Sequence, residues 1–380
     1  MIALLLFSSS KSRTKIPTKY IIVYLIYLFF YGFSLIMNGE FESHGYIKQI
    51  LAFHLVCIII YFSCQTYIKS ISQLDIVNYV LFSILIVTSL VTILQYYQNP
   101  LGWAIAGFFN SGNLDEVIQR NMSDRSGTAL GRSITVGIFP YVFTNAMFIA
   151  STAVLPLFYF FKKEANTSHR FIYVTITSLA FVACFMTQQR AAFGLLIVSL
   201  VGAFFLFGKR KYTWFLLLGI IFLSFSQIDF SAMIDDEKYG RIGTMLDFKD
   251  DETRQSLRLL ASDYISNNLF WGGPEKYLKL AGEQSHNFFY NAFIYGGLFG
   301  GITVIVLFVM MNVRCFSNIV KGFKAINLSA FYGIGLLTFF TCGFFHNGSL
   351  VLGSSQIFVL FALMIVAEKL EKKPKGNRVK

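Results

Sequence analysis

The sequence predicts an all-α polytopic integral membrane protein of about ten transmembrane helices, and three observations predict it. Only 14% of the 380 residues are charged, where a soluble domain carries about a quarter. Hydrophobic residues make up 55%, and the mean hydropathy is +0.59. Lys and Arg gather in short stretches between apolar runs and at the two ends, as the positive-inside rule requires. The net charge of +12 is therefore read as membrane topology, and no nucleic-acid partner is expected.

A spanning helix needs about 20 apolar residues. Runs that satisfy this lie near 20–37, 47–67, 76–97, 135–161, 171–187, 190–208, 212–228, 287–312, 325–345 and 350–368. No repeat, low-complexity segment or linker interrupts them, so 1–380 reads as a single transmembrane domain. Met1–Phe7 is apolar but too short to span, and its basic residues follow the apolar run, the reverse of a cleaved signal peptide. Met1–Ser10 is expected to be an interfacial segment or the remnant of a longer amino-terminus. The five Cys fall in or beside apolar spans with no C-x-x-C pair, which points to packing and away from a disulfide framework or a zinc site.

With ten spans, the basic stretches Lys11–Lys15, Lys162–Arg170, Lys209–Lys211, Arg314–Lys324 and Lys369–Lys380 alternate onto one face, the cytoplasmic one. Both termini then lie inside. The other face receives 38–46, an outer loop over 98–133, the turn Thr187–Arg190, a long outer loop over 229–285 and the turn at His346. Within the long loop, Leu257, Leu260, Ala261, Tyr264 and Ile265 form one apolar stripe, which predicts an amphipathic helix near 252–265. Arg254 and Arg258, four apart, are neighbours on its surface. Gly272-Gly273-Pro274 then ends the segment in a turn.

Four places carry groups suited to chemistry. Arg190 stands at the outer end of a span before the small residues Ala191, Ala192 and Gly194; a guanidinium that merely snorkels has the same signature. His286 opens the helix Ser285-His286-Asn287, at the junction of the Arg-bearing loop and a span, where an imidazole can take a proton near neutral pH. A structural hydrogen bonder in that position reads the same way. His286, Tyr290, Phe293 and Gly297 are expected on one helical face, with Gly300 and Gly301 further along to admit a neighbouring helix. The loop 98–133 adds Arg120, Arg125 and Arg132, whose forked donors suit a pyrophosphate as well as plain solvation. Adjacent acids at Glu40-Phe41-Glu42 and Asp235-Asp236 are the material for a metal-dependent alternative, though acids on loops are usually solvated.

Together these residues resemble the O-antigen ligase and O-antigen (polysaccharide) polymerase family of membrane proteins. The resemblance rests on Arg190 with its small neighbours, Arg254 opening an amphipathic helix that ends at Asn268-Leu269-Phe270-Trp271-Gly272-Gly273, and His286-Asn287 leading into Gly297-x-x-Gly300. It covers 187–301, with an echo at 125–145; Gln189 and Asn268 depart from the family's small hydroxyl residue and Pro. The resemblance implies the lipid-linked-sugar (GT-C-like) glycosyltransferase architecture and a metal-independent transferase without a cofactor. The donor would be an undecaprenyl-pyrophosphate-linked oligosaccharide, and the acceptor a glycan. In that reading His286, Arg190 and Arg254 are catalytic, with no metal ligands. Arg258, Arg125, Arg132, Asn287 and Tyr290 touch carrier or sugar.

The expected function is polymerisation of repeat units of a surface polysaccharide (O-antigen, capsule or exopolysaccharide) at the outer face of a bacterial inner membrane. A flippase and a chain-length regulator are expected as partners, alongside membrane lipid. The alternatives are a ligase that passes glycan from the carrier to a lipid or protein acceptor and, in another class, a lipid-linked oligosaccharide flippase. A transporter is expected to hide charges in mid-span or to show two similar halves.

Overall fold

The computed structural model describes residues 16–110, 135–162, 166–208, 252–323, 325–344 and 350–372. Among these every regular element is helical. We number them α1 (Lys19–Met37), α2 (Tyr46–Tyr67), α3 (Ile71–Tyr96), α4 (Pro100–Phe109), α5 (Val142–Phe161), α6 (Thr167–Met186) and α7 (Arg190–Phe207). There follow α8 (Glu252–Asn267), α9 (Pro274–Ala281), α10 (Phe288–Gly322), α11 (Leu328–Cys342) and α12 (Ser355–Glu371). Six of them, α1, α2, α3, α5, α6 and α10, are long and apolar enough to cross a membrane; α7 and α11 are shorter apolar helices. The chain is a helical multi-pass membrane protein.

Nine of the ten expected spans thus have a helix, six of them long and apolar enough to cross a membrane, and 212–228 lies outside the described residues. Two boundaries differ for physical reasons. The span expected from 135 begins at Val142, because Thr135–Tyr141 is irregular backbone pinned by buried polar side chains. Gln95 Oε1 accepts from Gly137 N at 2.9 Å, and Asn145 Nδ2 donates to Thr135 O at 3.1 Å and to Thr92 Oγ1 at 2.8 Å. Gly137 has φ 60°, and a Cβ there would lie 2.3 Å from Thr88 Oγ1. Secondly, the stretch read as loop from 98 opens with α4, capped by Asn99, whose Oδ1 accepts from Leu101 N at 2.9 Å, with Pro100 in the first turn.

The chain forms two compact units. One comprises Met1–Ile71, Thr253–Arg314 and Gly343–Lys380; the other comprises Ser72–Glu252 and Cys315–Cys342. In the second, α5, α6, α7 and α11 pack on one another, and a buried polar chain holds α3 to them. There Asn78 donates to Tyr159 Oη at 2.8 Å and accepts from Tyr332, while Tyr159 donates to Asp75 at 2.5 Å. The cysteines are free and mostly buried, as expected of packing residues.

The first unit positions the candidate site. α12 packs along α2, and the buried tyrosines Tyr20, Tyr24, Tyr27 and Tyr31 line one face of α1. Tyr20 meets Phe361 edge-on, Tyr24 packs against Phe358, and Tyr27 donates to Val351 O at 3.0 Å. A π-helical turn at Ile50–His54 widens α2 where buried His54 shares a 2.5 Å hydrogen bond through Nδ1 with Tyr24 Oη.

α10 is not one continuous helix. Gly297 has φ 60° and ψ −162°, a conformation essentially confined to glycine, and the backbone of 270–273 fills the break it makes. Ile294 O, which would accept from Leu298 in an unbroken helix, accepts instead from Gly273 N at 2.9 Å; Leu298 N donates to Phe270 O at 3.4 Å. The four residues Phe270–Gly273 are therefore held by main-chain groups that the helix has released. The fit leaves no room for side chains. A Cβ on Gly297 would stand 2.3 Å from Phe270 O, and one on Gly272 would stand 2.4 Å from Ile294 O. Gly297 is thus a break, and the expectation of one continuous face from His286 through Gly297 is corrected. Gly300 does admit a neighbouring helix, since its Cβ position lies 3.3 Å from Phe30 Cβ on α1.

We predict that Gly297→Ala and Gly272→Ala each destabilise the protein by roughly 2 kcal/mol or more, since a strained backbone conformation alone costs about 1–3 kcal/mol. Gly194→Ala, whose Cβ meets nothing within 4 Å, should be neutral. Thermal unfolding in detergent, followed by size-exclusion, measures the difference.

Candidate functional site

The site is built on α8, α9 and the start of α10, all in the first unit. α8 runs over Glu252–Asn267 and turns Leu257, Ala261 and Tyr264 inward, so its buried stripe is the one the spacing predicts. Tyr264 Oη donates to Gly273 O at 2.7 Å, and its ring meets Tyr277 of α9 at 5.4 Å. Burial, with Glu40 nearby, pushes the Tyr264 phenol up to about 12, so it remains a donor throughout the neutral range.

α9 starts where Pro274 occupies its first turn and ends at Gly282, whose φ of 75° is the left-handed terminator. Its amino-terminus is held by the segment after α1. Glu40, 4% exposed, accepts from Glu275 N at 3.1 Å and from Lys276 N at 2.9 Å, a carboxylate where the helix dipole favours one. Asn38 Oδ1 accepts from Lys276 Nζ at 2.9 Å, and Asn38 Nδ2 donates to Trp271 O at 3.0 Å. Ser34 also donates to Trp271 O. Glu40, available to the sequence only as a loop acid, is thus a helix-capping anion.

After α9 the chain makes a tight turn into α10. Asn287 is the cap: its Oδ1 accepts from Phe289 N at 2.9 Å and from Tyr290 N at 3.3 Å, and its Nδ2 donates to Phe344 O at 3.3 Å. Ser285 donates to Asn291 Oδ1 at 2.7 Å. The helix therefore begins at Phe288, and His286 stands outside it, which corrects the expectation that Ser285-His286-Asn287 are helical. His286 has φ 51°, left-handed backbone that costs an ordinary L-residue about 1–2 kcal/mol. Its side chain is 26% exposed, and its Nε2 lies 3.1 Å from Glu283 Oε2, itself half in solvent.

The residues predicted for the site are therefore distributed as follows. His286, Asn287 and Tyr290 lie together at the mouth of α10, where Asn287 is committed to capping. Arg254 and Arg258 belong to α8 in the same unit; Arg258 is half-buried. Arg190 is the first residue of α7, in the other unit. Arg125, Arg132, Arg120 and His346 lie outside the described residues.

What sequence reading missed is the acidic partner of two histidines, His44 and His286. Glu283 meets His286, and Glu275 meets His44 through Nδ1 at 2.6 Å. The i,i+3 spacing of Glu283 and His286 was a signal for the first; nothing local marks the second, whose residues are 231 apart. Among the described residues no cluster of three or more His, Cys, Asp or Glu is arranged to hold a metal ion. No protein-family model matches this chain, and a search of curated proteins finds no match.

The turn geometry makes a prediction of its own. His286→Gly should insert normally and unfold at a temperature equal to or above that of the parent, because glycine relieves the left-handed strain. His286→Val should lower it, as a β-branched residue resists φ > 0. Differential scanning fluorimetry of the purified variants distinguishes them.

Proposed function

We propose that this protein is a membrane glycosyltransferase that polymerises undecaprenyl-pyrophosphate-linked oligosaccharide repeat units into a surface polysaccharide at the outer face of a bacterial inner membrane. The observation that carries the reading is His286: a half-open imidazole, held in a strained turn beside Glu283 at the mouth of a long apolar helix. Strain that the surrounding structure sustains is commonly found at functional sites. The resemblance of 187–301 to polysaccharide polymerases and ligases gives that imidazole a task.

A sugar on a polyprenyl pyrophosphate already has a good leaving group. In the proposed reaction His286 takes the proton from the acceptor hydroxyl, whose oxygen bonds to the anomeric carbon. The bond from that carbon to the pyrophosphate oxygen breaks, and the pyrophosphate keeps the electron pair. Glu283, 3.1 Å from Nε2, steers the imidazole. Arg254 neutralises the charge growing on the pyrophosphate, a role that the resemblance gives to Arg190 as well. Arg258, Arg125, Arg132 and Tyr290 contribute contacts to carrier or sugar.

His286→Gln should insert as well as the parent yet lose polymer by about 10²–10⁴-fold, the usual worth of a general base, while lipid-linked donor accumulates. Near-normal polymer per inserted molecule would reject His286 as the base. Arg190→Lys and Arg254→Lys keep the charge and lose the fork, so each should lose most activity; full activity in either reduces that residue to a generic cation. Transfer should persist in EDTA. For sidedness, Asp250→Cys should react with an impermeant thiol reagent in intact cells and Arg210→Cys only after permeabilisation.

A further inference from the structure

Among the described residues, the polar cluster around His44 leaves one buried side-chain atom without a partner. Tyr31 Oη donates to Gln49 Oε1 at 2.9 Å, Gln49 Nε2 donates to His44 O at 3.0 Å, and Gln284 Nε2 donates to Tyr295 Oη at 3.1 Å. Glu40 is used by the backbone of α9. His44 itself has a side chain only 5% exposed, and its Nδ1 lies 2.6 Å from Glu275 Oε1. A carboxylate accepts only, so Nδ1 carries a proton and, in the neutral ring, Nε2 is left as an acceptor. That Nε2 is buried and has no hydrogen-bond partner among the described residues. Leaving such an atom unmet is unfavourable, because its hydration is lost and nothing replaces it.

The surroundings indicate what it would meet. The rings of Tyr31 and Tyr295 stand 5.9 and 5.7 Å from the imidazole, both edge-on. Aromatic ring edges and a carboxylate around an acceptor nitrogen suit a polyol, which presents apolar C–H faces and hydroxyl donors. An isolated anion would meet the charge of Glu275 instead. Position strengthens the case: Glu275, which fixes His44, and Glu283, which meets His286, flank the two ends of α9.

We propose that His44 is a sugar-hydroxyl-binding residue, its Nε2 accepting a hydrogen bond from a hydroxyl of the glycan while Glu275 fixes the Nδ1–H tautomer. This rests on the glycosyl-transfer reading and deepens it: His286 takes a proton, and His44 recognises a hydroxyl without taking one.

The test uses full-length protein in nanodiscs with lipid-linked oligosaccharide extracted from cells lacking this protein. The double variant H44L/E275Q removes the acceptor without stranding a carboxylate. H44Q restores both halves of the contact, since its amide can donate to Glu275 and accept from a hydroxyl. H44L/E275Q should raise KM about three- to tenfold, the worth of one hydrogen bond, with kcat within about twofold. H44Q should recover most of the loss. Unchanged KM in H44L/E275Q means that only an ordered water meets Nε2 and overturns the proposal. A fall in kcat or in inserted protein that H44Q fails to rescue assigns His44 to the scaffold and also overturns it. No transfer by the parent protein rejects the glycosyl-transfer reading itself, and this proposal with it.

Discussion

The first unit depends on a broken helix. In the low-dielectric interior of a membrane protein an unpaired main-chain N–H or C=O is costly, so a break is tolerated only where something else bonds the released groups. Here Gly273 N and Phe270 O do so, taking Ile294 O and Leu298 N. The pairing is mutual: Gly273 N and Phe270 O find their partners in α10 because it is broken, and the groups that the break releases are met by that backbone. Gly272 and Gly297 are the residues whose missing side chains permit the approach. Discontinuous helices of this kind commonly mark binding sites in membrane proteins.

From that join the rest of the site follows outward. Fixing Phe270–Gly273 fixes the start of α9, and Glu40 then clamps α9 by its first free amides. α8 is drawn onto the same place by Tyr264, which bonds Gly273 O and packs on Tyr277. α9 is only eight residues long, too short to persist alone, and its geometry comes from these contacts. Its far end delivers Glu283 and His286 to the mouth of α10, where Asn287 caps the helix and leaves His286 in a left-handed turn.

Two carboxylate–imidazole pairs result, and they differ in burial. His286 is partly open to solvent. His44 is enclosed, with Glu275 beside one nitrogen and no partner among the described residues at the other. A group that must cycle protons needs access to solvent; a group that reads a hydroxyl needs a fixed tautomer and a dry environment. The proposed division of roles follows from that contrast in exposure.

The sequence by itself determined the helical membrane class, the positions of most apolar helices, and the stripe Leu257, Ala261, Tyr264 that α8 buries. These are readable because they are local: an apolar run of about 20 residues and a 3.6-residue period each follow from the backbone of one segment. It also placed His286 and Asn287 beside the start of a span, though one turn too early. The tertiary structure alone decided the break at Gly297, because a glycine pair reads equally well as a helix-packing face or as a helix interruption. It alone joined Glu40 and His44 to Glu275, since residues 231 to 235 positions apart share no periodicity. A long-range contact is fixed by what each segment must satisfy once water is excluded, and no single segment carries that information.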